Sequence, residues 1–253
     1  MDRSRTSVVA IPTAHRPELL ALALEKLSAA RKPSNLEVHI YVDTVSESRL
    51  REVEVVRDLY FPEAFLFLAP PHIQAPSGCW NILNSIKHAA QFADEVFLVE
   101  EDVMVYPQFF EWHQSQEGVA ASCGRKMRRF ESFPWYTNPG SCLRRPLLDA
   151  LAPHINDEYF SNTIEYCKRF PPADWTSTLD DGLIRRVIQE MDGRWSFPET
   201  PVCAHQGFSW YGILDIYANK GGNIHQRVAR AKEILSSVRS SDRYAQDFEP
   251  FLP

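Results

Sequence analysis

The chain has 253 residues, 44% hydrophobic and 24% charged, with a formal net charge of −6 and a sequence pI near 5.8. That is an ordinary globular composition with enough length for a buried core, and its charge excludes a globally basic nucleic-acid binder. Five cysteines at 79, 123, 142, 167 and 203, an odd number with no CxxC pair, argue against a disulfide framework or a zinc finger and fit a reducing cytoplasm.

Residues 7–11 (SVVAI) form a short apolar run that reads as a buried strand, and Pro17 then suits the first position of a helix. Leu20, Ala23, Leu24 and Leu27 continue at helical spacing. Residues 36–42 (LEVHIYV) alternate and end at Asp43, a second strand. An amphipathic helix over 47–60, a strand over 64–68 and a helix over 79–92 follow, and residues 95–99 (EVFLV) form a fourth strand that stops at Glu100-Glu101-Asp102. This alternation predicts an α/β fold with a mostly parallel sheet flanked by helices, whose ligands bind beyond the carboxyl ends of the strands. Pro12, Thr13, Asp43 and the acidic trio all fall at such ends.

The second half is less regular. Candidate strands lie at 119–123, 140–143, 195–197 and 202–204, with a short helix at LLDAL (147–151) and longer helices over 179–191 and 224–237. Residues 154–178 show no clear period. There is no internal repeat or composition break, so one domain is expected over 1–253. No segment approaches the ~20 apolar residues that span a bilayer.

Three carboxylates where an apolar strand ends are costly to bury together unless a cation compensates. Mg²⁺ or Mn²⁺, held by one or two carboxylates and phosphate oxygens, is the natural partner. The plain alternative is three solvated acids near the helix expected at Pro107.

The segment VEEDVMVYPQFFEW (99–112) resembles the acidic triplet and Pro-Phe-Phe helix of the GT-A glycosyltransferases, most closely the N-acetylglucosaminyltransferase I family. The resemblance runs weakly from about Val8 to Gly207. It implies a GT-A fold, with 1–105 as the nucleotide-sugar half and 106–253 as the acceptor-binding and catalytic half. It also implies a nucleotide-diphosphate sugar donor, UDP-linked most commonly, and Mn²⁺ or Mg²⁺. Asp102 would ligate the metal, Glu100 and Glu101 would meet ribose and sugar hydroxyls, and Asp43 would read the base. Arg16 would contact the diphosphate, and Pro12 and Thr13 would line the donor site. His205 (in CAHQGF) matches a late residue near metal or diphosphate; a lone His is more often simply hydrogen-bonded.

Asp180-Asp181 opens the 179–191 helix. Helix capping is the common use of Asp there, but an inverting transfer needs a general base, and a second acid nearby raises a carboxyl pKa. In the family an acidic residue follows an aromatic one at this place, here Leu179, and Asp180 is the preferred base with Asp181 behind it. Trp80-Asn81 and Trp210-Tyr211 are candidate sugar platforms, although most such aromatics only pack.

Arg125, Lys126, Arg128 and Arg129, followed by Phe130, Phe133, Trp135 and Tyr136, interleave basic and aromatic residues as a nucleic-acid backbone with stacked bases would require. A solvated loop that offsets net negative charge explains them as well. Similar compact GT-A enzymes of viruses and kinetoplastids glycosylate hydroxymethylated pyrimidines, so modified DNA stands beside a glycan, lipid-linked sugar or protein as acceptor. Two other classes remain: a nucleotidyltransferase, which usually carries a Gly-rich phosphate loop that PTAHRPE lacks, and a non-catalytic carbohydrate- or DNA-binding module.

Overall fold

The computed structural model describes residues 6–14, 16–70, 78–125, 136–171, 177–206 and 221–237. Its first half follows the expected alternation closely: β1 (Ser7–Thr13), α1 (Pro17–Ala29), β2 (Leu36–Val42), α2 (Glu47–Tyr60), β3 (Phe65–Leu68), α3 (Cys79–Ala89) and β4 (Glu95–Leu98). Then come β5 (Val103–Val105), α4 (Phe109–Gln114), β6 (Ala121–Cys123), β7 (Ser141–Arg144) and α5 (Arg145–Leu151). The remainder is α6 (Asp157–Ser161), α7 (Thr163–Cys167), α8 (Asp180–Glu190), β8 (Trp195–Ser196), β9 (Cys203–His205) and α9 (Ile224–Ser237).

Among the described residues, seven strands form one sheet in the order β3-β2-β1-β4-β7-β6-β8. The β3–β2, β2–β1, β1–β4 and β6–β8 pairs are parallel, while β7 runs antiparallel to β4 and β6. Alternation along β1 sorts its side chains: Val9 and Ile11 join the core under α1, α2, α4 and α9, whereas Val8 and Ala10 join the core under α3, α5 and α8. Burial on both faces is why β1 reads as a continuous apolar run and not as an alternating one.

The chain order reverses at β1, with β2 on one side and β4 on the other. That reversal opens the crevice at the carboxyl ends where such sheets bind ligands. The β1–β4 ladder ends at the Ala10–Leu98 pair, so Pro12 and Thr13 extend past it toward the crevice. There Asp43 N–H donates to Thr13 O at 2.9 Å, and the Asn81 amide donates to Tyr41 O at 2.9 Å and Thr13 O at 3.3 Å. Asn81, at the start of α3, therefore ties the ends of β1 and β2 together from inside the protein, where it is 4% exposed.

Candidate metal and transfer centre

The chain after β4 turns sharply and enters β5, which pairs antiparallel with β9 in a small second sheet: Val103 lies opposite His205 and Val105 opposite Cys203. Gln206 N–H donates to Asp102 O at 2.9 Å and extends that pairing by one step. A histidine one hundred residues downstream is thereby delivered to the tip of β4. Gly140 makes the close approach possible. It adopts φ +66°, and a Cβ there would strike Cys203 Sγ. Gly124 packs against the same sulfur, and its Cβ would lie 2.7 Å from it.

The three acids have separate surroundings, and Glu101 and Asp102 are buried where solvated groups were the plain alternative. Glu101 is fixed by the protein. One oxygen accepts from the Thr13 hydroxyl and, at 2.9 Å, from Ala14 N–H; the other accepts from Arg16 Nε at 2.7 Å. It staples the β1 end to the β4 end. Asp102 Oδ2 takes Arg16 Nη1 at 3.0 Å, and its Oδ1 faces His205 Nε2 at 3.4 Å without a well-formed hydrogen bond. Burial alone would raise the Asp102 carboxyl, but His205 and Arg16 hold it down to about 2.

Glu100, Asp102 and His205 offer one ligand atom each within 4.8 Å of one another. A buried carboxylate oxygen with no hydrogen-bond partner among the described residues, a second carboxylate and an imidazole make a mixed oxygen and nitrogen donor set that suits Mn²⁺ and, less fully, Mg²⁺. The residues fit the ion. Glu100 is the member that sequence reasoning assigned to the sugar hydroxyls. Its carboxyl is pushed well up by burial and then by Asp102 and Asp180, the energetic signature of negative charges gathered at one place.

Asp180 belongs to this surround. It starts α8, but Leu179 is the capping residue and makes no side-chain cap. Asp180 Oδ2 instead accepts from the Asn138 amide. Burial and the neighbouring Asp181 raise the Asp180 carboxyl to about 6, against hydrogen bonds from Asn138 and Cys79 that favour its anion. Asp181 turns to Ser177, whose hydroxyl donates to Oδ1 at 2.8 Å. The two acids are thus in different environments, Asp180 on the Asn138 amide and Asp181 on the Ser177 hydroxyl.

Asp43 ends β2, half-exposed, and its Oδ1 accepts from Thr44 N–H at 2.7 Å. Pro12 is buried in β1 opposite Tyr41. Of the basic-aromatic stretch, Lys126, Arg128, Arg129, Phe130, Phe133 and Trp135 lie outside the described residues, as do Trp210 and Tyr211. Arg125 is half-buried, with Nη1 3.5 Å from the His205 carbonyl. Tyr136 is a core side chain whose hydroxyl meets Ser141 Oγ at 3.1 Å. Trp80 packs beside Phe160 with ring centroids 6.3 Å apart. Asn138 and Gly140 carry roles that sequence reasoning missed; Thr-Asn-Pro-Gly (137–140) signals a turn, and nothing in it marks the direction of the Asn138 amide.

No protein-family model matches the chain, and no curated protein matches it. Solved structures do. A mannosyltransferase from Pyrobaculum calidifontis, in complex with GDP-Man and Mn²⁺, matches 96% of this chain and 77% of its own at 15% identity, with a TM-score of 0.57. Glucosyl-3-phosphoglycerate synthase from Mycobacterium tuberculosis, in complex with Mg²⁺ and UDP, matches 80% of this chain and 72% of its own at 14% identity, with a TM-score of 0.52. At these identities the likeness is one of fold. The chain adopts the GT-A, Rossmann-like arrangement: a mostly parallel seven-stranded sheet flanked by helices.

Proposed function

We propose that the chain is a divalent-cation-dependent glycosyltransferase. It moves a sugar from a nucleoside-diphosphate donor, UDP-linked by preference, to a hydroxyl acceptor with inversion. One observation carries the reading: Glu100, Asp102 and His205 each offer a ligand atom within 4.8 Å of one another just beyond the carboxyl end of β4, and the half-buried Asp180 adds negative charge that raises the Glu100 carboxyl. The solved neighbours with the same fold hold Mn²⁺ with GDP-Man and Mg²⁺ with UDP, which supports the same ligand class here.

Each residue has a task in this reading. Asp102, His205 and Glu100 hold Mn²⁺ or Mg²⁺, which when bound offsets the charge developing on the departing diphosphate. Glu101 holds the Thr13 loop and Arg16 in place, Arg16 meets the diphosphate, and Asp43 reads the base at the end of β2. Asp180 takes the proton of the acceptor hydroxyl as its oxygen bonds to the anomeric carbon and the bond from that carbon to the diphosphate oxygen breaks. Asp181 raises the Asp180 carboxyl from alongside.

The acceptor is proposed as a hydroxyl. The hydroxymethylpyrimidine reading draws on the 125–129 basic cluster, whose one described member, Arg125, turns toward His205. Five free, buried cysteines accord with a reducing compartment such as the cytoplasm. No helix among the described residues is long and apolar enough to cross a membrane.

The test is a screen with Mn²⁺ in two arms, nucleotide sugars read for free UDP, GDP and CDP, and nucleoside triphosphates with sugar phosphates read for pyrophosphate, each with and without duplex DNA containing 5-hydroxymethylpyrimidines. Nucleoside diphosphate release supports the reading, and pyrophosphate release points to nucleotidyl transfer. Hexose or pentose mass on the modified base supports the DNA acceptor; transfer to a glycan with no such mass removes it.

A further inference from the structure

We infer that Asn138 is a positioning residue for the transfer: its side-chain amide fixes the orientation of the Asp180 carboxylate that takes the acceptor's proton. This rests on the role of Asp180 proposed above. Asn138 is 2% exposed, and its Nδ2 donates to Asp180 Oδ2. The ordinary uses of an asparagine in a turn do not account for it. Its backbone is not left-handed, since Asp192 is the one non-glycine residue with positive φ among the described residues, so the backbone does not call for Asn. Its Oδ1 is buried and accepts no hydrogen bond among the described residues, so it closes no Asx turn and caps no helix. The main chain closes the turn instead, with Ser141 N–H donating to Asn138 O at 3.0 Å. A buried amide oxygen without a partner costs stability, so packing alone is a poor reason for this residue. The hydrogen bond that its side chain does make goes to Asp180.

An ionised carboxylate only accepts, so the amide must present its nitrogen to Asp180 and cannot flip. The bond favours the anion that can receive a proton and stops the carboxylate from rotating. Asp181 is no substitute, because its Oδ1 is taken by the Ser177 hydroxyl and by Gly182 N–H. Asn138 is itself tied to the cation side of the site. Two residues on, Gly140 lies against Cys203 of β9, and its carbonyl accepts from Gly124 N–H at 2.8 Å. The turn therefore refers Asp180 to the strand that carries His205. A base displaced by about 1 Å can lose on the order of 100-fold in rate, so such a reference matters. The other ionisable groups around Asp180 are Asp181 on α8, Cys79 on α3, Tyr159 on α6, Tyr136 ahead of β7 and Glu100 beyond β4. All of them remain when Asn138 is replaced, so a difference between variants reports the amide.

The test measures nucleoside diphosphate release by the full chain with Mn²⁺, from whichever UDP- or GDP-linked sugar turns over fastest. Asn138→Leu keeps the approximate shape of the side chain and removes its donor. Its kcat should fall about 10- to 100-fold while the donor KM stays within about 3-fold of the wild type. The acid limb of its pH–rate profile should move to higher pH by about 0.5 or more. Its urea midpoint should match the wild type, because the lost amide also removes an unpartnered oxygen. Asn138→Asp keeps the turn and guards against a misfolded Leu variant; its acid limb should move further up, since two adjacent carboxyls share a proton. An unchanged kcat and acid limb in either folded variant, or a kcat loss matched by an equal rise in donor KM and by lost stability, overturns the inference. Absence of release from every donor by the wild type removes it together with the proposed function. Asp180→Asn separates the two levels. If that variant keeps the acid limb, the base itself is misassigned; if it loses the limb while Asn138→Leu leaves it in place, only the positioning fails.

Discussion

His205 stands opposite Val103 in the β5–β9 ladder, one residue beyond Asp102, and this pairing brings the imidazole to 3.4 Å from the Asp102 carboxylate. The candidate centre is therefore made by backbone pairing between segments one hundred residues apart. The strength of that ladder and the chemistry of the site are linked.

Asp102→Asn keeps the shape of the side chain and removes its charge. With Arg16 and His205 left facing a neutral amide, Mn²⁺-dependent nucleoside diphosphate release should fall on the order of 100-fold or more. Initial rates across a Mn²⁺ titration check this; full turnover at saturating Mn²⁺ would contradict the assignment.

Asp180 must be ionised to accept a proton, and burial with Asp181 places its carboxyl at about 6. Turnover should therefore rise with pH through about 6 as one group loses its proton. Asp180→Asn should cut the rate by roughly 100- to 10,000-fold and flatten that limb. A pH–rate profile from 4.5 to 8 reads both, and an unchanged acid limb in the residual activity of the variant would reassign the base.

Gly140→Ala places a methyl group against Cys203 at a left-handed backbone position. A loss of about 1–3 kcal/mol in urea unfolding is expected from overpacking and backbone strain. Because Cys203 is in β9, Mn²⁺ affinity should weaken together with stability. Lost stability with intact Mn²⁺ binding would detach β9 from the centre.

His113 is fully buried beside Ser122 Oγ at 2.7 Å, and burial, then Arg144, lowers its pKa to about 3. Between the ordinary value near 6.5 and about 3, the unfolded chain carries the proton and the folded chain does not, so stability falls as pH falls. Asp180, raised in the fold, acts in the opposite sense between its ordinary 3.8 and about 6, so the whole-protein slope is a sum. The informative quantity is a difference. His113→Gln should remove about 1.4 kcal/mol per pH unit from the slope of unfolding free energy against pH over that window. Denaturant unfolding at several pH values measures it, and equal slopes would refute neutral burial of His113.

The first half of the molecule was legible because its signals are local. The 36–42 and 47–60 elements match β2 and α2 residue for residue, since strand alternation and helical spacing reflect burial on one or two faces. Glu100, Asp102 and Asp180 were legible as carboxylates placed where apolar elements begin or end. What was hidden is non-local. Val103–Val105 is three residues long and is a strand only because Cys203–His205 lies beside it. α6 and α7, of five residues each, are too short for a period to emerge, and their starts are set by Asn156 and Asn162 accepting from Tyr159 N–H and Glu165 N–H. The grip of Glu101 on Thr13, Ala14 and Arg16 depends on β1 and β4 being neighbours, which no single segment announces.

The most direct measurement is anomalous diffraction from a crystal grown with Mn²⁺ and a nucleoside diphosphate. The account predicts one strong Mn²⁺ peak about 2.1–2.3 Å from Asp102 and His205 Nε2, with diphosphate oxygens completing its shell. A well-ordered nucleotide with Mn²⁺ bound elsewhere, or with neither of them near Asp102, would contradict it.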